Sequence, residues 1–216
     1  MNTLTKLALG LMGRVKPLPA TPDASSVQLL PTPRSSGGLP LMQALSRRES
    51  RREFSTEPLD EELLSDLLWA ACGINRTALG GRTAPSAMNA QEIDLHVALP
   101  SGLFRYDPFT HSLVLAVASD VRRVTGYQDF VDHAALDLVY VADHARMKLV
   151  QASRREAYAF AAAGAVAQNV YLFCASAGLA TVVRGWFDAR ALSQAMNLGH
   201  DQQLLLTQTV GFPRAG

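Results

Sequence analysis

The sequence predicts an α+β protein (an α/β sandwich) in which a mixed central sheet is flanked by helices, one of them long and central. The first observation is a stretch from Glu156 to about Ser176 without strong helix breakers, followed by Gly178 where a glycine commonly ends a helix. Its apolar residues fall on all sides, so we expect a buried helix. The second observation is residues 136–142, a nearly continuous apolar run that is typical of a strand buried on both faces.

The remaining elements follow from local patterns along the chain. Apolar spacing predicts one helix over residues 41–47 and another that opens near Asp60 and ends at Gly73. After a polar loop over 75–89, alternation and turn residues predict three short strands at residues 92–98, 103–106 and 113–117. Residues 121–132 are expected to be helical in part. Beyond the long helix we expect a strand over 179–184, a helix over 188–197 and a last strand over 203–210.

Length and composition indicate one folded domain. The chain has 216 residues, 48% of them hydrophobic and 18% charged, which is enough for a sizeable core. The formal net charge of +1 argues against nucleic-acid binding, so we expect no nucleic-acid partner. We expect that no apolar run reaches the length of a membrane span, and so we expect no membrane partner. Cys72, Cys174 and five scattered histidines show no metal-ligand spacing, and we expect no metal site.

The first 38 residues differ in composition from the rest. Residues 1–38 are predicted to form a flexible arm or linker, and residues 39–216 the folded domain, because residues 16–38 are rich in Pro, Ser, Thr and Gly without periodicity. The apolar stretch at residues 7–12 is short and is followed by Arg14 and Lys16, which makes it a weak signal-peptide pattern. We therefore expect a cytoplasmic protein.

The charged segment after the first helix is the first candidate for chemistry. If residues 48–54 are extended, Arg48, Ser50 and Arg52 share one side. Two guanidinium groups on either side of a hydroxyl suit a phosphate group. The alternative is a solvated charged segment at a helix end.

Three further segments carry suitable residues. In the loop R-T-A-P-S-A-M-N-A-Q, Pro85 stiffens the backbone, Ser86 and Asn89 are turn formers with polar side chains, and Ala87 permits a flat ring to approach. Alone, this loop is only a turn before a strand. The strand end formed by Val183, Arg184 and Gly185 could offer backbone N–H groups to an acceptor atom, and the fourth segment is V-G-F-P-R at residues 210–214.

Together, these motifs resemble the flavin-dependent nitroreductase superfamily. The order is R-x-S-x-R-x-F, a P-L…L-L-W-A-A helix, R-T-A-P-S-A-M-N-A-Q, G-L-A-T-V-V-R-G after the long helix, and V-G-F-P. The resemblance covers about residues 39–214. Within the superfamily, the chain looks most like the thiazoline/oxazoline dehydrogenase-like branch, which includes the oxidase components of peptide-heterocycle synthetases.

The resemblance implies a nitroreductase-like fold and a homodimer that holds FMN non-covalently at the subunit interface, with the long helix in the dimer core. Arg48 and Ser50 match the phosphate and ribityl contacts of the family. Arg52 matches the basic residue near the N1–O2 edge of the isoalloxazine, where a cation stabilises the anionic reduced flavin. The residues that match the segment reaching the flavin from the partner subunit are Pro85, Ser86, Ala87 and Asn89.

The resemblance also implies roles at the other edges of the flavin. The backbone of Arg184 and Gly185, preceded by Val183, matches the turn that hydrogen-bonds flavin N5. Gln128 corresponds to a contact with the pyrimidine edge, and Arg214 to a C-terminal phosphate-binding cation. Many members carry an acidic residue where this chain has Arg184, which bears on the local potential and on substrate preference. Trp186 and Phe187, just after the turn, are candidates for the substrate face.

The implied activity is that of an FMN-dependent oxidoreductase. Hydride would pass from NAD(P)H through flavin N5 to a nitroaromatic, quinone or similar acceptor in a ping-pong cycle, and no side chain is predicted to be catalytic because the flavin carries the chemistry. One alternative is a flavin-dependent dehydrogenase or oxidase of an organic substrate such as an azoline. Others are a non-catalytic flavin-binding partner protein and a degenerate homologue that keeps only the dimer scaffold.

Overall fold

The structure is a computed structural model, and it describes residues 26–214. The strands are β1 (Val27–Leu29), β2 (Ile74–Arg76), β3 (Gly81–Arg82), β4 (Ile93–Leu99), β5 (Gly102–Asp107), β6 (Ser112–Val117), β7 (Leu136–Asp143), β8 (Ala180–Arg184) and β9 (Gln202–Gly211). The α-helices are α1 (Leu41–Arg47), α2 (Glu61–Cys72), α3 (Ala152–Ala177) and α4 (Ala189–Met196). Seven strands form one sheet in the order β1-β6-β5-β4-β7-β9-β8, and β2 and β3 form a separate hairpin within the loop predicted over residues 75–89.

The predicted α+β class is confirmed, but the described sheet is not mixed in strand direction. Every pair of neighbouring strands in residues 26–214 is antiparallel. The helical connection through α3 makes β8 run in the same direction as β7, as crossover helices do. Because β9 lies between these two strands and pairs with both in the opposite direction, β7 and β8 are never neighbours.

The strand β7 lies in the middle of the sheet and is buried on both faces, as predicted. Side chains alternate along a strand, so Leu138 and Tyr140 enter the core beneath α2 and α3. Val139 and Val141 point to the opposite face and pack with Leu192 of α4. Helices therefore cover both faces of the sheet near the ends of β8 and β9.

Local sequence sets the ends of the two longer helices. Asp60 caps α2 by accepting a hydrogen bond from the Leu63 backbone N–H at 2.7 Å, which satisfies one of the free N–H groups of the first turn. Gly178 follows α3 with a φ of 74°, a left-handed conformation that glycine adopts without strain. The helix begins at Ala152 rather than at the predicted Glu156.

The long helix α3 supplies small residues to the main core. Ala159, Ala163 and Val170 are buried against the sheet and α2, whereas Phe160 and Gly164 are exposed on the single chain. By length and composition alone this helix could cross a membrane, since its mean hydropathy is 1.3, with 44% of the relevant stretch buried. The expectation that no apolar run reaches a membrane span is therefore wrong for α3, and its core packing accounts for part of that apolar content.

Part of the predicted N-terminal arm joins the sheet. Residues 1–25, including the weak signal-like segment, lie outside the described residues. β1 pairs with β6 at the sheet edge, and Arg34 forms an ion pair with the buried Asp66 of α2 at 2.6 Å. The Leu39 backbone N–H donates to the Ser176 hydroxyl at 2.7 Å. The arm thus extends from the sheet edge past α2 to the end of α3.

Candidate functional site

Tyr171 of α3 joins two of the predicted site segments. Its hydroxyl lies 2.8 Å from the Ser50 hydroxyl and accepts a hydrogen bond from the Val183 backbone N–H at 3.0 Å. Because the Tyr171 oxygen already accepts, its O–H can donate to Ser50, which leaves the Ser50 O–H for a ligand. The Arg48 guanidinium lies over the Tyr171 ring, 5.3 Å from its centroid. The structure therefore brings Arg48, Ser50 and Val183 together around one phenol.

The segment after α1 docks against the edge of the sheet through its backbone. The Arg51 N–H donates to the Thr181 carbonyl at 3.0 Å. A cavity of about 380 Å³ lies beside the segment and the end of α3. Its lining includes Arg47, Arg48 and the ion pair of Arg51 with Glu49 at 2.5 Å, so Arg47 and Arg48 supply the guanidinium groups that suit an anionic ligand.

Arg52 lines a different cavity. This second cavity, of about 880 Å³, also contains Arg214, Phe130 and His133. The Arg214 N–H donates to the Glu53 carbonyl at 3.2 Å, which holds the two chain segments together. The segment pairs first with β8 and then with residues 212–214, so it is not one regular strand. Consequently, of the three side chains predicted to share one side, Arg48 and Arg52 line different cavities.

The end of β8 leaves its backbone open to approach. Gly185 is exposed, and a Cβ atom at this position would meet no heavy atom within 4 Å. Trp186 is 69% exposed, and its ring centroid lies 5.3 Å from that of Tyr127. Phe187 instead packs against the apolar cluster beneath α4. Of the two aromatic candidates for a substrate face, only Trp186 is available at the surface.

The side chain of Arg184 points into the fold. It forms a buried ion pair with Asp137 of β7 at 2.6 Å. It also donates to the Thr209 hydroxyl at 2.7 Å and to the Thr125 carbonyl at 3.1 Å, which leaves Nε without a partner among residues 26–214. Thr209 donates in turn to Asp137, and so does Thr125 at 2.9 Å. The charge of Arg184 is therefore neutralised inside the protein.

Burial governs the titration of this ion pair. Loss of solvation raises the pKa of Asp137 to about 6, although Arg184 and hydrogen bonds from Thr209 and Thr125 act in the opposite direction. Burial also lowers the pKa of Arg184, and Asp137 opposes that change. The Asp137 carboxylate accepts three hydrogen bonds, which favour its charged form at neutral pH.

Gln128 belongs to the same network. Its Oε1 accepts a hydrogen bond from Arg184 Nη1 at 3.3 Å. Gly126, two residues earlier, approaches the guanidinium so closely that a Cβ atom there would lie 1.8 Å from Nη1. The contact of Gln128 with the pyrimidine edge of a flavin stays a prediction, because its side-chain oxygen is already engaged within the protein.

The predicted turn Pro85–Asn89 lies elsewhere along α3. Pro85 and Ser86 line a small cavity with Ala162 and Val166 near the middle of the helix. Val166 lies five residues before Tyr171, which lines the first cavity, or roughly 7.5 Å along the axis at 1.5 Å per residue. Within one chain, this turn therefore lies apart from the junction at Tyr171, that is, from the Tyr171 hydroxyl and its partners Ser50 and Val183.

The turn itself combines backbone strain with internal hydrogen bonds, and Ala87 is half-buried within it. Met88, Asn89 and Gln91 have φ values of 54°, 51° and 51°, which are uncommon for residues other than glycine. The Ser86 hydroxyl accepts from the Gln91 N–H at 2.9 Å, and the Gln91 amide donates to the Asn89 side chain at 3.2 Å. Strain that is held by surrounding contacts clusters at binding sites.

Sequence reasoning missed Tyr171 and the partners of Arg184. A buried phenol in an apolar helix signals a hydrogen-bonding role, because its hydroxyl needs a partner. Asp137, a charged residue near the start of an apolar strand, similarly signals a buried cation. Neither signal identifies which partner the fold brings close.

The residues at the junction fit a phosphorylated ligand such as FMN. Arg48 offers a guanidinium fork, Ser50 a hydroxyl donor, and Gly185 an accessible backbone. The thiols are poor candidates for chemistry, since burial raises the pKa of Cys72 to about 11 and also raises that of Cys174. Across residues 26–214, no group of three His, Cys, Asp or Glu side chains is arranged to hold a metal ion.

Comparison with known proteins gives a family match over most of the chain. The model of the Nitroreductase family matches residues 45–212. A crystal structure of a nitroreductase homologue from Ralstonia eutropha JMP134 has a TM-score of 0.85 at 50% sequence identity, covering 94% of this chain and 96% of that chain.

Two more distant solved structures share the fold. The Escherichia coli microcin synthetase McbBCD complex with truncated pro-MccB17 bound has a TM-score of 0.70 at 18% identity, covering 87% of this chain and 79% of that chain. The NADPH:FMN oxidoreductase of Vibrio harveyi, complexed with NAD+, has a TM-score of 0.62 at 20% identity, covering 81% and 69%.

Proposed function

The chain belongs to the nitroreductase family, and on that premise we propose that it is an FMN-dependent oxidoreductase that binds FMN at the interface of a homodimer. When bound, FMN supplies hydride transfer from NAD(P)H to a nitroaromatic, quinone or similar acceptor. The observation that carries the proposal is the junction at Tyr171, where Arg48 and Ser50 lie beside an arginine-lined cavity and the open end of β8. The named cofactor of the Vibrio harveyi oxidoreductase supports the same assignment.

Arg48 and Ser50 would bind the phosphate and ribityl groups. The Tyr171 ring supports the Arg48 guanidinium, whose planar donors match phosphate oxygens. Arg52 would place positive charge near the N1–O2 edge of the flavin. Since Arg214 shares a cavity with Arg52 rather than with Arg48, we propose Arg48 as the principal phosphate ligand and Arg214 as an additional cation nearby.

The backbone of Arg184 and Gly185 would meet flavin N5. Tyr171 holds the strand at the Val183 N–H, while the guanidinium network fixes it from the opposite face. Because Asp137 neutralises the Arg184 charge, backbone N–H groups rather than a guanidinium would face the cofactor. The chain thus contributes orientation and a preorganised donor, with no ionised side chain at this edge.

Pro85, Ser86, Ala87 and Asn89 would reach the flavin from the partner subunit, because within one chain Pro85 and Ser86 line a different cavity from Arg48 and Tyr171. The exposed side of α3 is where we propose that the two copies meet. A Cβ atom at Gly164 would meet nothing within 4 Å, and small residues there allow another helix to approach closely.

Steady-state kinetics of the FMN-reconstituted protein test the proposal. NADH or NADPH is varied at several fixed concentrations of a quinone, and parallel double-reciprocal lines are expected for a ping-pong cycle. Protein prepared without FMN is the control. A protein that binds no FMN and consumes no NAD(P)H with any quinone or nitroaromatic would exclude the proposed function.

The same measurements distinguish the proposed NAD(P)H-dependent reductase from the principal alternative. The likeness to the microcin synthetase complex keeps open an oxidase that takes electrons from an organic substrate such as an azoline and passes them to oxygen. Such an enzyme would bleach its flavin with the organic donor and leave NAD(P)H unoxidised. Bound FMN that is reduced too slowly for turnover, together with a reproducible protein partner, would instead indicate a non-catalytic flavin-binding protein.

A further inference from the structure

We propose that Tyr127 and Trp186 form an acceptor-binding subsite, in which a flat, neutral aromatic acceptor stacks against Trp186. The inference rests on the proposed FMN site, because Trp186 directly follows Gly185 at the turn assigned to flavin N5. It makes these two residues determinants of substrate specificity for that reaction.

The exposure of the two rings is the first observation. Trp186 is 69% exposed and Tyr127 is 51% exposed, although large aromatic side chains are mostly buried in folded proteins. Their ring centroids are 5.3 Å apart, with an interplanar angle of 51°. Each ring therefore supports the other while much of the Trp186 surface stays open to a ligand.

The hydrogen bonds of Arg184 fix the two chain segments that carry the Tyr127 and Trp186 rings. Tyr127 lies between Gly126, which approaches Arg184 Nη1, and Gln128, which accepts a hydrogen bond from it at 3.3 Å. Trp186 lies two residues after Arg184 on the other chain segment. One buried guanidinium thus fixes the backbone on both sides of the aromatic pair, and such preorganisation lowers the entropic cost of binding.

The local charges favour a neutral acceptor. Arg184 is paired with Asp137 inside the fold at 2.6 Å, so it offers no cation at this surface. The acidic side chains nearest in sequence are Asp129 and Asp188, both at exposed residues, and Asp188 caps α4 by accepting from the Ala191 N–H at 2.9 Å. The exposed Arg123, which donates to the Gln128 carbonyl at 3.2 Å, and the exposed Arg190 offset these carboxylates, so little net charge is left to favour an ionic acceptor.

The test compares acceptors on the FMN-loaded protein. For Trp186→Ala, the ratio of kcat/KM for 1,4-naphthoquinone to kcat/KM for ferricyanide should fall about tenfold. This is the decrease expected when one aromatic contact with the acceptor is lost. Trp186→Phe should restore most of that ratio. Trp69→Phe, which changes a tryptophan within α2, should keep it.

A binding readout complements the kinetics. The chain has two tryptophans, so Trp69→Phe leaves Trp186 as the sole tryptophan fluorophore, and 1,4-naphthoquinone should quench its emission saturably in the absence of NAD(P)H. A Trp186→Ala enzyme that keeps its FMN, its turnover and an unchanged acceptor ratio would overturn the subsite while leaving the proposed function intact. A Trp186→Phe ratio as low as that of Trp186→Ala would also overturn stacking. A protein without FMN or turnover would overturn both.

Discussion

The two sides of β8 differ in how their polar groups are used. On the α3 side, Val183 donates to the Tyr171 hydroxyl, which shares a hydrogen bond with Ser50, and the Ser50 O–H is available to a ligand when Tyr171 is the donor. On the α4 side, Arg184 and Asp137 form a buried ion pair in which both terminal nitrogens of Arg184 donate within the protein. One strand therefore carries an open polar surface on one side and a buried ion-pair network on the other.

This difference distinguishes residues that can bind a ligand from residues that support the fold. Arg48 and Arg184 are both arginines close to the proposed flavin, but the terminal nitrogens of Arg184 already donate within the fold. The Arg48 guanidinium, by contrast, lies over the Tyr171 ring beside a cavity, so its N–H donors face the place where a ligand could bind. Hydrogen-bonding capacity left unused at a cavity indicates a ligand contact, whereas capacity satisfied in the interior indicates a structural role.

Asp137→Ala should cause the largest loss of stability. It leaves the Arg184 guanidinium buried without its partner, and breaking a buried pair in this way typically costs about 3–5 kcal/mol. Urea denaturation at pH 7 measures the free energy of unfolding. Asp129→Ala, which removes an exposed carboxylate, is the matched control and should change stability by about 0.5 kcal/mol or less. Equal stability of the two variants would contradict the closed network.

The buried polar side should also make the protein sensitive to acid. Burial lowers the pKa of His96 to about 4, below its usual 6.5, so the folded state favours neutral His96. This contribution is present above pH 6.5 and is lost as the pH falls toward 4, by up to about 3 kcal/mol. Asp137 acts with the opposite sign, because its raised pKa of about 6 makes folding more favourable as the pH falls.

A comparison with His96→Gln isolates the histidine contribution. Denaturation of both proteins at several pH values between 4 and 7 should show that the stability of the wild type relative to the variant declines in acid. A difference that stays constant over this range would show that His96 titrates normally in the folded protein.

Arg48→Ala tests the open side of β8. A hydrogen bond to a charged group is worth about 1.5–3 kcal/mol, so the Kd for FMN should rise roughly 10- to 150-fold. Flavin fluorescence titration measures this change. Arg190→Ala removes an exposed arginine of α4 and should leave the Kd as it is. If Arg48→Ala bound FMN as tightly as the wild type, the phosphate assignment would be wrong.

Gly185→Val should give a smaller and more selective effect. A Cβ atom there meets nothing within 4 Å in the protein, so the fold accommodates it and any crowding falls on the ligand. Reduction by NADPH, followed by anaerobic rapid mixing, should slow about tenfold, which corresponds to about 1.4 kcal/mol of barrier, with a smaller change in FMN affinity. Gly199→Val is the control. Comparable losses in reduction and binding would count against the N5 placement.

Much of the fold could be predicted from local patterns. The cap at Asp60, the glycine at 178 and the apolar run of β7 each identify an element because a nearby residue satisfies a local requirement. β1 was not predicted, since three residues of an edge strand carry little periodicity. The antiparallel order was also missed, because the insertion of β9 between β7 and β8 depends on contacts distant in sequence.

The candidate site was predictable only as separate segments. The R-x-S-x-R spacing predicts Arg48 and Ser50 as ligand contacts, which stays a prediction, but the direction of the Arg184 side chain could not be read from its position in a strand. That direction depends on Asp137 and Thr209, which lie far from Arg184 in the sequence. Tyr171 was overlooked for the same reason, since its partners come from two other parts of the chain.

The visible absorption spectrum of the purified protein, recorded before and after NADPH is added without oxygen, tests the proposed function most directly. We expect a flavin band that bleaches when NADPH is added. A band that persists would contradict electron flow from NADPH, and no band even after FMN is supplied would contradict the flavin site itself.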